Sequence, residues 1–203
     1  TFSSNYNLYG DLSWRVMETL RIMMGEKNVE VYSVDEAFLN LDHLPGGTDW
    51  YKIALEIRLT VEEWTGIKVS VGLAPTKVLC KVANHLAKKD KDATQCVVVL
   101  DTKEKISKAL QKTPVDEVWG VGRQYAKKLK DMFAVFTAYD LTYKTEEWAQ
   151  KNMGGVVGVR LIKELKGESV NEMEDQLTEK KMIATTRMFG TPVTDIADIK
   201  EAV

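Results

Sequence analysis

Two short apolar runs, 29–34 and 37–41, are separated only by Asp35-Glu36, and this juxtaposition narrows the possible folds more than any other stretch. Both runs are rich in Val, Tyr, Phe and Leu, so both read as β-strands with an acidic pair at their junction. Neighbouring side chains on a regular strand point to opposite faces, so the two carboxylates share a site only at a hairpin or bulge. An ionised carboxylate drawn into a sheet loses water and needs a compensating partner. A divalent cation is one such partner, because Mg²⁺ takes hard oxygen ligands and is often held by one or two carboxylates together with substrate phosphates. A solvated turn between two strands also accommodates the dipeptide.

The chain has 203 residues, enough for one substantial domain or two small ones. No apolar run approaches the about 18 residues of a membrane span, which excludes an integral membrane protein, and no secretory signal pattern opens the chain. Cys80 and Cys96 lack metal-ligand spacing and are expected as free, buried thiols of a reducing compartment. A formal net charge of -2 gives no global attraction to nucleic acid. The charge is uneven, however. Lys77, Lys81, Lys88, Lys89 and Lys91 share a window with only Asp90 against them, and Arg123, Lys127, Lys128 and Lys130 form a second cluster, while acids gather at 168–179. The chain starts Thr-Phe-Ser-Ser without a Met and stops at Ala202-Val203 inside a helical pattern, so it is expected to be a piece of a longer protein.

Apolar residues at helical spacing predict helices over 8–24 and 51–64, the second opened by Thr48 as N-cap after a Pro45-Gly46-Gly47 turn. Strands are expected at 68–73 and 96–100, with a helix over 75–88 between them. This alternation implies an α+β arrangement, one mixed sheet with helices on one face. Helical segments then dominate 103–166, broken at Pro114, Gly120, Gly122 and Gly154-Gly155. A polar linker follows, and 182–189 reads as one further strand before a helix beginning at Asp195.

Two more patterns carry chemistry. Gly72-Leu73-Ala74-Pro75-Thr76-Lys77 is a strand, a tight turn and a helix start, whose free amides and positive dipole end suit a phosphate, with Lys77 in the same turn. It lacks the glycines of a Walker A loop and also fits an ordinary amphipathic helix. Val118-Trp119-Gly120-Val121-Gly122-Arg123 leads into Tyr125-Ala126-Lys127-Lys128-Leu129. Its glycines allow a tight turn whose amides can hold a nucleic-acid phosphate without reading bases, and Arg123, Lys127 and Lys128 add sequence-independent attraction. A glycine-rich helix–helix turn with a solvated basic face fits the same residues.

In this order the three patterns resemble the Y-family translesion DNA polymerases, most closely the bacterial UmuC type. The resemblance runs over essentially the whole chain. It is carried further by Phe2-Ser3-Ser4-Asn5-Tyr6-Asn7-Leu8-Tyr9, by Lys77-Val78-Leu79-Cys80-Lys81-Val82-Ala83-Asn84-His85, by Pro114-Val115-Asp116-Glu117 ahead of the Trp-Gly turn, and by Arg187-Met188-Phe189-Gly190. It implies a partial ferredoxin-like palm over 1–101, with the end of a fingers domain at its start. A small all-α thumb with a helix-hairpin-helix would follow over 102–167, then a linker over 168–180 and the first strand and helix of a little finger over 181–203.

By the same resemblance Asp35 and Glu36 match the palm acids that hold two Mg²⁺ ions, and Lys77 matches a lysine contacting the incoming triphosphate. Gly120, Gly122, Arg123, Lys127 and Lys128 match the thumb's grip on the duplex backbone, and Arg187 is expected near phosphate. Primer-template DNA and a deoxynucleoside triphosphate are the implied substrates of error-prone translesion synthesis in the SOS response. A UmuD-type dimer, RecA and the sliding clamp are the implied partners, and the bacterial cytoplasm is the implied location. The family's first palm strand, with a third metal-binding aspartate, would precede residue 1, so the piece alone is expected to bind Mg²⁺ weakly and not to polymerise. Two rivals stand beside this reading. One is a non-catalytic DNA-binding scaffold; the other is a nucleotidyl cyclase, against which the duplex-gripping turn speaks.

Overall fold

The computed structural model describes residues 4–174, 190 and 193–201. Helix α1, Tyr6–Met24, is opened by Asn5, whose Oδ1 accepts the Leu8 amide at 3.1 Å. Strands β1, Val29–Ser33, and β2, Glu36–Leu39, form an antiparallel hairpin. Its register passes from Val31↔Ala37 to Ser33↔Glu36, so Tyr32 is left over in a bulge beside the acidic pair. Val29, Val31, Ala37 and Leu39 pack into one small core with Met17 and Leu20 of α1 and with Ile57 and Val61 of helix α2, Trp50–Thr65. The cap of α2 is Asp49 rather than Thr48: the Thr48 hydroxyl turns back to donate to the Pro45 carbonyl at 2.6 Å, and the Asp49 carboxylate accepts the Lys52 amide.

Strand β3, Val71–Leu73, pairs in parallel with β4, Val97–Val99, and is joined to it by helices α3, Lys77–Lys89, and α4, Lys91–Thr94. Gly72 is where α3 meets β3. A Cβ there would stand 2.2 Å from the Asn84 amide nitrogen, so only glycine lets the two backbones approach this closely. The single mixed sheet expected from the sequence is instead two separate pairs among the described residues. Between β2 and β3 lies a cleft of about 1270 Å³, walled by Met17, Phe38, Leu41, Ile57, Val69 and Leu73 among others. No described strand fills it, so the two pairs do not join.

The rest is helical: α5, Lys103–Lys112; a 3₁₀ turn, Val115–Glu117; α6, Arg123–Phe133; α7, Ala138–Thr142; α8, Glu146–Asn152; and α9, Val156–Leu165. Their core is continuous with α3, since Val78, Leu79 and Val82 lie in one cluster with Leu110, Leu129, Leu141, Ile162 and Leu165. A short helix α10, Ile196–Glu201, begins after Asp195, whose carboxylate accepts the Ala197 amide. The expected strand over 182–189, Arg187 with it, lies outside the described residues.

Candidate active site

The second face of the hairpin carries the charged groups. Glu36 and Phe38 share a side of β2 by the two-residue period of a strand, and Glu30 sits opposite Phe38 on β1. This face meets α3, where Lys77 and Lys81 lie one turn apart on the same side. Lys77 Nζ donates to Glu30 Oε2 at 2.6 Å, and Lys81 Nζ donates to Glu36 Oε1 at 2.5 Å. Aromatic rings fill the space between the pairs. Tyr32, Phe38 and Trp119 form a closed trio with ring centroids 5.6 to 5.9 Å apart. The Lys77 ammonium stands 5.1 Å from the Phe38 ring centre, and that of Lys81 stands 5.5 Å from Tyr32 and 5.9 Å from Trp119. Asp35 is exposed at the turn and accepts a hydrogen bond from the Ser33 hydroxyl at 2.8 Å. The acidic pair is therefore a half-buried Glu36 and an open Asp35 at a bulged hairpin, the geometry in which adjacent acids can serve one site.

The start of α3 does not present the open amides expected for a phosphate. The Val78 amide donates to Glu164 Oε2 at 3.1 Å, and that of Leu79 donates to the Thr76 hydroxyl at 3.3 Å. Glu164, on α9, is 0% exposed, and its other oxygen accepts the amides of Val170 and Asn171, each at 2.9 Å. Lys77 is occupied as well, donating to the Glu172 carbonyl at 2.7 Å besides Glu30. The lysine at the acidic pair is Lys81. Its spacing of one helical turn from Lys77 puts the two on the same face.

The glycine turn has the expected local shape. Gly120 has φ +91°, a left-handed conformation that L side chains rarely adopt, and Gly122 opens α6 without any side-chain cap on the helix amides. Arg123 and Lys127 are exposed beside it. Lys128 is partly engaged, donating to the Asn152 carbonyl at 3.3 Å, and Lys130 pairs with Asp116 at 2.8 Å. Across a cavity of about 230 Å³ bordered by Gly120 and Tyr125 lies a second glycine turn, Gly154-Gly155, whose Gly155 opens α9, also without a side-chain cap.

Two hard carboxylates stand at one hairpin end, and the Lys81 ammonium already places a positive charge against Glu36. Those two carboxylates suit Mg²⁺ when water and substrate phosphates complete its shell. Among the described residues no group of three or more His, Cys, Asp or Glu comes together as a ready-made cage. No described helix is long and apolar enough to cross a membrane.

This mixture of helices and small sheets matches the fold of the Y-family DNA polymerases. The insertion ternary complex of Dbh DNA polymerase overlays with a TM-score of 0.67 at 25% identity, over 84% of this chain and 47% of that one. DinB from Sulfolobus solfataricus gives 0.66 at 24% identity, over 84% of this chain and 48% of that one. Within that class, the profile of the impB/mucB/samB family matches residues 1–85. It is 42% identical to Protein UmuC of Salmonella typhimurium over 202 residues, 100% of this chain and 47% of the relative. It is 35% identical to Protein MucB of Escherichia coli over 202 residues, again 47% of the relative, and 29% identical to DNA polymerase IV of Treponema denticola over 196 residues, 95% of this chain and 47% of that protein. The chain thus spans about half the length of the curated relatives it matches.

Proposed function

We propose that the protein containing this chain is a translesion DNA polymerase, transferring a nucleotide from a deoxynucleoside triphosphate to a primer end on damaged template. The observation that carries this reading is the bulged hairpin. It holds Asp35 and Glu36 at one end, with the Lys81 ammonium 2.5 Å from Glu36 and the glycine turn of α6 reaching the same face through Trp119. Asp35 and Glu36 would hold Mg²⁺, which, when bound, supplies charge for the attacking primer oxygen and the departing pyrophosphate. Lys77 and, one helical turn on, Lys81 would contact the triphosphate from the same face of α3. A further carboxylate would arrive on a strand seated in the apolar cleft between β2 and β3. Gly120, Gly122, Arg123, Lys127 and Lys128 would grip the duplex backbone, and Arg187 would add a phosphate contact from a little finger. A UmuD-type dimer, RecA and the sliding clamp belong to the same reading as partners, with the bacterial cytoplasm as its setting.

The test is primer extension past an abasic site with Mg²⁺, using the full-length protein. Asp35→Ala and Glu36→Ala should each abolish incorporation while duplex affinity stays within about threefold, since backbone contacts lie elsewhere. Equal loss of duplex binding would remove the metal-ligand role. Duplex binding without any incorporation by the unsubstituted protein would favour the DNA-binding scaffold.

A further inference from the structure

We propose that Trp119, which lies outside the hairpin and in the turn leading to α6, is a positioning residue for Lys81 and through it for the charge at Glu36. The proposal rests on the polymerase reading for its functional consequence, but its geometry stands alone. Lys81 extends from α3 and has one carboxylate partner, Glu36, at 2.5 Å. Long lysine side chains are flexible, and a single hydrogen bond leaves the ammonium several rotamers. Here the rings of Tyr32 and Trp119, edge to face with each other at 81° and 5.6 Å apart, flank the ammonium, at 5.5 and 5.9 Å respectively. A cation is drawn toward the negative face of an aromatic ring, and tryptophan offers the strongest such face. Phe38, under Lys77 and in contact with both other rings, fixes the trio from the sheet side.

The arrangement links two parts of the molecule. Tyr32 sits at the bulge and Phe38 on β2, whereas Trp119 immediately precedes the left-handed Gly120. Any shift of the glycine turn, such as engagement of a duplex would bring, moves the ring that borders Lys81. The same side chain therefore reports the state of the DNA-gripping turn to the lysine facing the triphosphate. In free protein the contact keeps the ammonium on Glu36. With nucleotide bound, it keeps Lys81 from swinging into solvent.

Competitive amine labelling of the full-length protein, read residue by residue by mass spectrometry without DNA or nucleotide, tests the contact directly. Trp119→Leu keeps apolar bulk and removes the π face. It should raise labelling of Lys81 several-fold with Lys77 little changed, and Trp119→Phe should restore the original rate. In steady-state incorporation, Trp119→Leu should raise the KM for the nucleotide several-fold and leave kcat and duplex affinity close to unsubstituted values. Should Trp119→Leu fail to fold, Tyr32→Leu reads the same Lys81 labelling from the other ring. Equal Lys81 labelling in the unsubstituted, Leu and Phe proteins, or an equal rise in Leu and Phe, overturns the proposal, because packing alone would then account for Trp119. Labelling that follows the proposal in a protein with no incorporation would defeat the polymerase reading and leave the positioning contact standing.

Discussion

At the scale of single residues, neighbours in space rather than in sequence decide what each side chain can do. Cys80 illustrates this. Its thiol donates to the Ala74 carbonyl, and burial pushes its pKa from the usual 9.0 up to about 11. At pH 8 only about one thiol in a thousand is then ionised, and the thiolate is the reactive form. Cys96, at the mouth of β4, should be alkylated by iodoacetamide first, with Cys80 lagging by at least about tenfold in a mass-spectrometric time course at pH 8. The folded protein keeps the Cys80 proton after an unfolded chain has lost it. Its contribution to stability is therefore complete below pH 9.0 and declines as the pH rises toward about 11. The acidic pair was legible because its members adjoin in the chain. The partners of Glu30 and Glu36 were not, since Lys77 and Lys81 come 47 and 45 residues later.

Elements were easier to read than their assembly. The helical period and the caps located α1, α2 and α3, because a helix start is written in a few consecutive residues. Thr76 caps α3 through the Leu79 amide, as a threonine before an amphipathic run suggests. The exception at α2 is instructive: two adjacent candidates, Thr48 and Asp49, competed, and the turn carbonyl of Pro45 took the hydroxyl of the first. Glu164 could not be foreseen, for a buried carboxylate on α9 looks like one more polar position on a helix. It caps α3 from 86 residues away and holds the 168–174 segment with its other oxygen. Glu164→Gln would turn an amide donor toward backbone donors on one side or the other. That leaves a buried N–H unsatisfied at a cost of about 1–3 kcal/mol. The shift should be seen in a urea melt, and hydrogen exchange should quicken at Val170 and Asn171 if the amide faces them, or at Val78 if it faces α3.

For the whole molecule, the division of charge matters more than its sum. With a net charge of -2, any attraction to a duplex must come from a local cluster, and Arg123 and Lys127 are its exposed members while Lys128 and Lys130 are partly engaged. Arg123→Ala combined with Lys127→Ala should weaken binding to all duplex sequences alike. It should also reduce the slope of log affinity against log salt by about 2, roughly one unit per lost phosphate contact. Sequence-selective loss would count against a backbone grip. The order of strands and helices was legible along the chain, but the gap between the two strand pairs was not, because pairing between distant segments leaves no local mark.

The segment 168–174 was read from composition as the start of a linker, and composition describes what a chain does when nothing holds it. Here Glu164 takes two of its amides, Glu30 takes that of Glu174, and Lys77 takes the Glu172 carbonyl. For dissection of the protein into stable pieces, this moves the natural cut. A boundary just after α9, where a helical unit would conventionally be trimmed, strips two buried carboxylates and a lysine of partners they already have. A boundary beyond residue 174 keeps the seam between hairpin, α3 and α9 closed, so the segment belongs with the packed unit it joins.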